Sequence, residues 1–173
     1  MSWKLILFDF DDTIYLKTTY EFVPNIHDIL YNIKAMQIPI GIITYNSKAI
    51  HILKSFGLDT CFNFIISIAS KYERKSDVLK KSNIWHEITS KKDILFFDND
   101  PYNIYTMKQI GISCFLVNPV NGISRDIIDA ILQKDYERIS KHMSSTIPHV
   151  YNYIERTTMS QNLEQLDKLL LEL

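Results

Sequence analysis

The stretch that decides the fold is KLILFDFDDTIY, Lys4 to Tyr15. Its four apolar residues, Leu5–Phe8, have the length and composition of a buried strand. Three acids follow at once, Asp9, Asp11 and Asp12. Carboxylates at the end of a buried strand are costly unless a partner compensates their charge. The stretch therefore predicts a buried strand that ends at a functional site, where the acidic side chains have a partner.

Outward from this stretch, the chain alternates strand-like and helix-like segments. Strand-like runs occur at IPIGIITY, FNFIISI, DILFFD and ISCFLV, and helix-like runs lie between them at VPNIHDILYNIKAM, SKAIHILKSFG, RKSDVLKKSN and PYNIYTMKQIG. Ser47 is expected to cap the second helix, and Gly57 to end it. Because the strands are apolar on both faces, the pattern predicts an α/β fold with a doubly wound, mainly parallel sheet and helices on both faces.

The pattern changes after Pro119. We predict a core over residues 1–120 and a helical extension over residues 121–173, packed on the core so that the 173-residue chain forms one domain. The final segment, SQNLEQLDKLLLEL, carries a leucine stripe from Leu163 to Leu173. We expect this stripe to dock on the core, and it could alternatively serve as a dimer seam.

Composition narrows the class of partner. The chain has 19 basic and 20 acidic residues and a formal net charge of -1. Without a global basic field, a dedicated nucleic-acid binder is disfavoured, although a local patch stays open. Cys61 and Cys114 lie far apart in the sequence. This favours two buried free thiols in a reducing compartment over a disulfide framework or a metal site. The apolar runs are too short to span a bilayer, and no signal peptide is recognisable. We expect a cytoplasmic protein with no membrane partner.

Polar side chains fall at or just past the ends of the predicted strands. Asp9 and Asp11 follow the first strand, Thr44 ends the second, Lys75 precedes the helix after the third, and Asp98 ends the fourth. In parallel sheets, ligands bind outside the carboxyl ends of the strands. These residues are therefore expected to form one site.

Phosphoryl transfer is the chemistry that suits this set. Two carboxylates about 4 Å apart repel by about 4 kcal/mol at an effective dielectric constant near 20. A hard divalent cation such as Mg²⁺ removes that cost and neutralises phosphoryl oxygens. One carboxylate can attack phosphorus, and a second, two residues on, can protonate the leaving oxygen. A hydroxyl and an ammonium group can hold the remaining phosphoryl oxygens.

Four motifs carry a resemblance to a known superfamily. DFDDT resembles the first motif of the haloacid dehalogenase superfamily, and Thr44 in IIT resembles its second motif. Lys75 in RKSDVLKK resembles the third, and ILFFDND resembles the fourth. The motifs occur in the order of the superfamily. FFDNDPYNI further resembles the branch of the magnesium-dependent acid phosphatases.

The resemblance implies a role for each residue. Asp9 would be the nucleophile and Asp11 the general acid and base. Thr44 and Lys75 would hold the phosphate. Asp98 would bind Mg²⁺ together with Asp9 and the backbone carbonyl of Asp11. The enzyme would be an uncapped phosphatase, a phosphoric monoester hydrolase that works through an aspartyl-phosphate.

Some residues depart from the pattern or leave a choice open. Lys71 is the substitute for Lys75 as the phosphate-binding lysine. Asn99 stands where a second acid is frequent, which leaves the metal site one charge weaker. Asp12 stands where glycine is common, and no role is assigned to it.

Asp100 and Asn103, which follow the fourth strand, are interpreted from their positions relative to the next helix. Asp100 is expected to cap the helix that starts at Pro101. Asn103, in the first turn of that helix, receives no role.

Other functions stay open at this stage. A phospho-receiver module also uses paired acids, a threonine and a lysine on a doubly wound sheet, but it keeps its phosphoacceptor in the middle of the chain. A non-catalytic interaction protein and a polynucleotide 3′-phosphatase are further alternatives. The segments on either side of Thr44 leave no room for a cap domain, so we expect a phosphoprotein or another macromolecular phosphate as substrate.

Overall fold

A central parallel sheet organises the protein. The computed structural model describes residues 3–70, 72–133, 135, 138, 139 and 141. The strands are β1 (Leu5–Phe8), β2 (Tyr15–Leu16), β3 (Glu21–Phe22), β4 (Ile40–Thr44), β5 (Phe64–Ser67), β6 (Ile94–Asp98) and β7 (Ser113–Leu116). The sheet has the order β5-β4-β1-β6-β7, and each pair of neighbours is parallel. The chain therefore winds outward from β1 in both directions, which confirms the predicted doubly wound fold.

Helices cover both faces of this sheet. They are α1 (Ile26–Ala35), α2 (Ala49–Ser55), α3 (Lys75–Lys81), α4 (Asn83–Glu87), α5 (Pro101–Gln109) and α6 (Arg125–Gln133). Two apolar cores result. One contains the buried residues of α1, α2 and α6, and the other contains those of α3 and α5, with α4 packed against it.

The apolar run of β1 is explained by these two cores. Ile6 and Phe8 point into one core, and Leu5 and Leu7 point into the other. Successive side chains of a strand alternate between the faces of a sheet, so a central strand covered on both sides is apolar throughout. The ring of Phe8 also stacks on that of Phe97 in β6, with centroids 5.1 Å apart.

The start of α2 differs from the sequence prediction. Lys48, not Ser47, is the N-terminal flanking residue, and its side chain makes no capping bond. The N–H of Lys48 instead donates to Oδ1 of Asn46 at 2.9 Å, so the turn before the helix is closed by Asn46. Gly57 follows the helix with φ of +68°, as predicted for a helix end.

The start of α5 follows the prediction. Asp100 is the N-cap, and its Oδ1 accepts a hydrogen bond from the N–H of Tyr102 at 2.8 Å. Pro101 occupies the first turn, where the missing N–H has no intrahelical partner to lose.

A short hairpin, β2–β3, lies in a segment where the sequence pattern indicated neither a strand nor a helix. Asp12 shapes the turn that leads into it. Its φ is +53°, a left-handed conformation that aspartate tolerates better than most residues. Its carboxylate accepts the N–H of Lys17 at 2.9 Å and lies 3.2 Å from the Lys17 ammonium. Asp12 can therefore replace glycine here because its side chain stabilises the strained turn.

The loop after β7 packs on this hairpin. The N–H of Ile123 donates to the carbonyl of Thr13 at 2.9 Å. Gly122 has φ of +66°, and a Cβ there would lie 2.6 Å from the Thr13 carbonyl oxygen and 2.3 Å from Cγ1 of Val23. Only glycine allows so close an approach. The loop thereby supports the segment that carries the acids of the first motif.

Of the predicted C-terminal extension, the structure describes α6, which contacts α1. Most of the remainder, including the stripe from Leu163 to Leu173, lies outside the described residues. The division at residue 120 and the docking of the last segment stay predictions. Within the described part of the chain, no helix is both long and apolar enough to cross a bilayer.

Candidate active site

The carboxyl edge of the sheet gathers four of the predicted side chains. Asp9 follows β1, Thr44 ends β4 and Asp98 ends β6. Lys75 opens α3 and reaches the same edge. Each of the four residues is at most 6% exposed, which is unusual for the three that are charged.

Lys75 joins the two carboxylates. Its Nζ donates to Oδ1 of Asp9 at 2.5 Å and to Oδ2 of Asp98 at 2.6 Å. Lys75, the lysine assigned to the third motif, thus lies against both carboxylates, whereas Lys71 lies outside the described residues and the choice between them stays a prediction. The result is a buried group of two anions and one cation.

Asp98 is held from two further directions. Its Oδ1 accepts the N–H of Asp100 at 2.8 Å, and its Oδ2 accepts Nδ2 of Asn103 at 3.0 Å. Asn103 had no role in the sequence analysis, and here it orients a predicted metal ligand. What could have pointed to Asn103 in the sequence is its position in the first turn of α5, five residues after Asp98, the predicted metal ligand that ends β6.

Asp11 lies apart from this buried group. It is half-buried, and its Oδ1 accepts Nδ2 of Asn46 at 2.8 Å. The N–H of Asn46 in turn donates to Oγ1 of Thr44 at 3.1 Å. No motif in the sequence marks Asn46, although it stands only two residues past the end of β4 and so reaches the edge on which Asp9 and Asp98 were expected.

Burial dominates the electrostatics of the site. It raises the pKa of Asp9 to about 7; Lys75 opposes this shift, and the neighbouring charge of Asp98 adds to it. Burial likewise raises the pKa of Asp98 above its ordinary value, against the opposing effect of Lys75. Burial lowers the pKa of Lys75, but the two carboxylates outweigh it and raise that pKa above the ordinary value. In the metal-free protein, the lysine is therefore the firmly held charge.

The carboxylates fit a hard cation. Asp9 and Asp98 both lie within hydrogen-bond distance of one nitrogen, so both can face one positive centre, and when both are ionised Lys75 compensates only one of the two charges. Among the described residues, however, no group of three or more His, Cys, Asp or Glu side chains is arranged to hold a metal. The side chain of Asp11 faces Asn46 instead. The resemblance implies that Asp11 binds Mg²⁺ through its backbone carbonyl and not through its side chain.

These groups have little contact with solvent, since Asp9, Lys75 and Asp98 are each at most 6% exposed. The ring of Tyr45 lies with its centroid 5.4 Å from Nζ of Lys75, a cation–π distance, and its hydroxyl donates to the carbonyl of Glu73 at 2.9 Å. Asp11 and Asn46 stand half-buried nearby. A ligand would therefore contact Asp11, Asn46 and the ring of Tyr45 before it reached the buried charged groups.

Solved structures show the same fold at low sequence identity. A protein described as a predicted phosphatase from Clostridium acetobutylicum aligns with a TM-score of 0.59 and 15% identity, over 79% of this chain and all of its own. A protein described as a HAD-superfamily hydrolase from Ehrlichia chaffeensis has a TM-score of 0.59 and 12% identity, over 77% of this chain and 98% of its own. A haloacid dehalogenase-like family protein from Streptococcus pneumoniae aligns with a TM-score of 0.57 and 14% identity, over 73% of this chain and 90% of its own. No curated protein matched the chain.

The sequence model of one family also matches this chain. It describes the haloacid dehalogenase-like hydrolases, and it covers residues 15–117. The match includes Thr44, Lys75 and Asp98 and begins after Asp9 and Asp11, so the identification does not depend on the first motif. Because the match covers more than half of the 173 residues, the chain belongs to the family of haloacid dehalogenase-like hydrolases.

Proposed function

We propose that the protein is a Mg²⁺-dependent phosphatase that hydrolyses a phosphomonoester through an aspartyl-phosphate on Asp9. The observation that carries the proposal is the buried group in which Lys75 bonds both Asp9 and Asp98 at the carboxyl edge of the sheet. Membership of a hydrolase family supports it. So does a fold shared with a protein described as a predicted phosphatase.

The first half-reaction transfers the phosphoryl group to the protein. A carboxylate oxygen of Asp9 attacks phosphorus, and the bond between phosphorus and the leaving oxygen breaks. Asp11 gives its carboxyl proton to that oxygen, which departs as an alcohol. Lys75 and the hydroxyl of Thr44 bind the phosphoryl oxygens as negative charge is redistributed.

The second half-reaction releases phosphate. The Asp11 carboxylate takes a proton from water while the water oxygen bonds to phosphorus, and the bond to the Asp9 oxygen breaks. Asp9 and Asp98, with the backbone carbonyl of Asp11, would hold Mg²⁺, which supplies positive charge against the phosphoryl oxygens. Asn103 and the N–H of Asp100 keep Asp98 oriented for this task.

A large substrate suits this site. Over the described residues 14–70 and 72–74, the chain forms a short hairpin, two helices, a short 3₁₀ turn and two sheet strands, and no inserted domain lies among them. Few groups are therefore available to contact a small ester beyond its phosphate, and selectivity must come from a partner surface. Because Asp9, Lys75 and Asp98 are almost fully buried, the phosphate must project from its carrier to reach them. A phosphorylated side chain of a protein meets both requirements.

Magnesium and the intermediate are tested together. Wild-type protein should hydrolyse 4-nitrophenyl phosphate with Mg²⁺, stop in excess chelator and recover when Mg²⁺ is returned. Asp11→Asn protein mixed with substrate should hold phosphate on the peptide that contains Asp9, located by mass spectrometry. Equal activity in chelator and in Mg²⁺, or phosphate on another residue, would contradict the proposal.

A substrate panel tests the size argument. Phosphopeptides, phosphoproteins, 3′-phosphorylated oligonucleotides, nucleotides and sugar phosphates are compared by kcat/KM. Phosphoproteins should rank first. A sugar or nucleotide phosphate turned over near the diffusional ceiling, about 10⁸ M⁻¹s⁻¹, would contradict it, and a preference for oligonucleotides would favour the 3′-phosphatase alternative.

A further inference from the structure

Asn46 has an amide whose two ends are both committed. Its Oδ1 accepts the N–H of Lys48 at 2.9 Å, and its Nδ2 donates to Oδ1 of Asp11 at 2.8 Å. An N–H can donate only to the oxygen end of an amide, so the bond from Lys48 dictates which end faces Asp11. The side chain therefore presents a donor to Asp11 in a fixed orientation.

The backbone of Asn46 is fixed as well. Its N–H donates to Oγ1 of Thr44 at 3.1 Å, immediately past the end of β4. β4 pairs in register with β1, which leads to Asp9 and Asp11. The donor is thus attached to the sheet through the strand next to the one that carries the acids, which suits a group that must hold a side chain in place.

We propose that Asn46 is a positioning residue for the proton donor of the reaction, and this inference rests on the proposed function. By bonding Oδ1 of Asp11, it leaves Oδ2 to carry the transferred proton and turns that oxygen toward the leaving group. The proton moves from Oδ2 to the leaving oxygen, which keeps the electron pair of the broken bond to phosphorus. In the second step, Oδ2 takes a proton from water. Asn46 itself exchanges no proton.

The role separates good from poor leaving groups. A nitrophenolate leaves readily without a proton, whereas a phenolate or alkoxide of higher basicity needs one from Asp11. Loss of positioning should therefore slow phenyl phosphate more than 4-nitrophenyl phosphate. A defect in phosphate binding through Thr44 would slow both alike.

Two variants separate positioning from turn formation. Asn46→Ala loses both side-chain bonds, whereas Asn46→Asp can keep the bond from the Lys48 N–H but has no N–H for Asp11. In both, the ratio of kcat/KM for phenyl phosphate to that for 4-nitrophenyl phosphate should fall roughly tenfold or more. The matched control is Asn63→Ala. Asn63 accepts the N–H of Ile40 at the other edge of the sheet, and its loss should leave the ratio unchanged.

The decisive measurement is a double-mutant cycle with Asp11→Asn. In that background, Asn46→Ala should not change the ratio further, because the donor that it positions is already gone. A wild-type ratio in Asn46→Asp, an unchanged ratio in Asn46→Ala, or a full effect in the Asp11→Asn background would each overturn the positioning role.

A readout without turnover keeps the test separate from the proposed function. In urea unfolding, a cycle of Asn46→Ala with Asp11→Ala, which leaves Nδ2 of Asn46 no acceptor at position 11, should show a coupling of about tenfold in the unfolding constant, as expected for a hydrogen bond to a charged group. Absence of that coupling would overturn the pair itself. Wild-type protein that hydrolyses neither ester would overturn the proposed function and with it the role of Asn46, while the unfolding cycle still decides whether the bond exists.

Discussion

The two edges of the central sheet treat charge in opposite ways. At the carboxyl edge, Asp9, Lys75 and Asp98 are buried together. At the amino edge, Lys4 is exposed and Asp93 is half-buried. Removing ionisable groups from water is costly, and a sheet of this kind folds without it, as the amino edge shows. Stability of the sheet does not account for the buried charges, which is consistent with the catalytic role proposed for them.

The amino edge shows what ordinary polar residues do at the ends of these strands. The N–H of Lys4 donates to the carbonyl of Asp93 at 2.8 Å, and Oδ1 of Asn63 accepts the N–H of Ile40 at 2.9 Å. These bonds satisfy backbone groups where strands begin. A cleft of about 600 Å³ lies there, lined in part by Asn63, Phe64 and Asp93. Each edge thus supplies a matched control for the other.

The largest contrast is expected for one aspartate at each edge. Asp9→Asn should lower phosphatase kcat about 10³-fold or more, because the amide is a poor nucleophile, and should leave the fold intact since it removes one of two buried like charges. Asp93→Asn removes the same charge at the amino edge and should change kcat by about twofold or less. Steady-state kinetics with 4-nitrophenyl phosphate measure both. More than about a tenth of wild-type activity in pure Asp9→Asn protein would refute the assignment of the nucleophile.

The next contrast compares two lysines. Lys75→Met leaves Asp9 and Asp98 buried without a counter-charge, and should lower the free energy of unfolding by about 3–5 kcal/mol in metal-free buffer. Lys91, before β6, donates to the carbonyls of Trp85 and Ile88 and lies over the Trp85 ring.

For Lys91→Met, we expect a loss of about 1–2 kcal/mol, because no buried charge is left unpaired. Urea unfolding followed by circular dichroism gives both values. Similar losses in the two variants would mean that the buried carboxylates do not depend on Lys75. Adding Asp9→Asn to Lys75→Met should recover part of the lost stability, since it removes one of the stranded charges.

The smallest contrast uses two glycines with nearly the same backbone angle. Gly57 has φ of +68° and no heavy atom within 4 Å of a Cβ, whereas Gly122 has φ of +66° and the Thr13 carbonyl 2.6 Å away. Gly57→Ala should cost about 1–2 kcal/mol from the left-handed conformation alone. Gly122→Ala should cost about 1–3 kcal/mol more, because the methyl group must displace backbone. Thermal unfolding at matched protein concentration compares them, and equal losses would show that the loop shifts freely away from the hairpin.

The sequence predicted the sheet well, and it placed the candidate site residues at one edge of that sheet, for a physical reason. Apolar runs such as Leu5–Phe8 report burial on both faces, and strand ends of a parallel sheet must meet at one edge. Asp9, Thr44 and Asp98 could therefore be assigned to one place before any distance was known. The helix start at Ser47 was wrong, because the oxygen of Asn46 competes for the same turn and residue type alone does not rank the two. The hairpin β2–β3 was missed because two-residue strands carry no periodic signal.

The sequence by itself determined that Asp9, Thr44 and Asp98 reach the carboxyl edge, because the apolar residues of each strand immediately precede them. The tertiary structure alone decided how those groups pair. Nζ of Lys75 bonds Asp9, 66 residues away, and Asp98, 23 residues away, while Asn46 bonds Asp11 across 35 residues. A hydrogen bond forms only within a few tenths of an ångström of its optimal length and in a favourable direction. Such precision comes from the packing of β1 between β4 and β6 and of α3 above them, and no pattern along the chain expresses it.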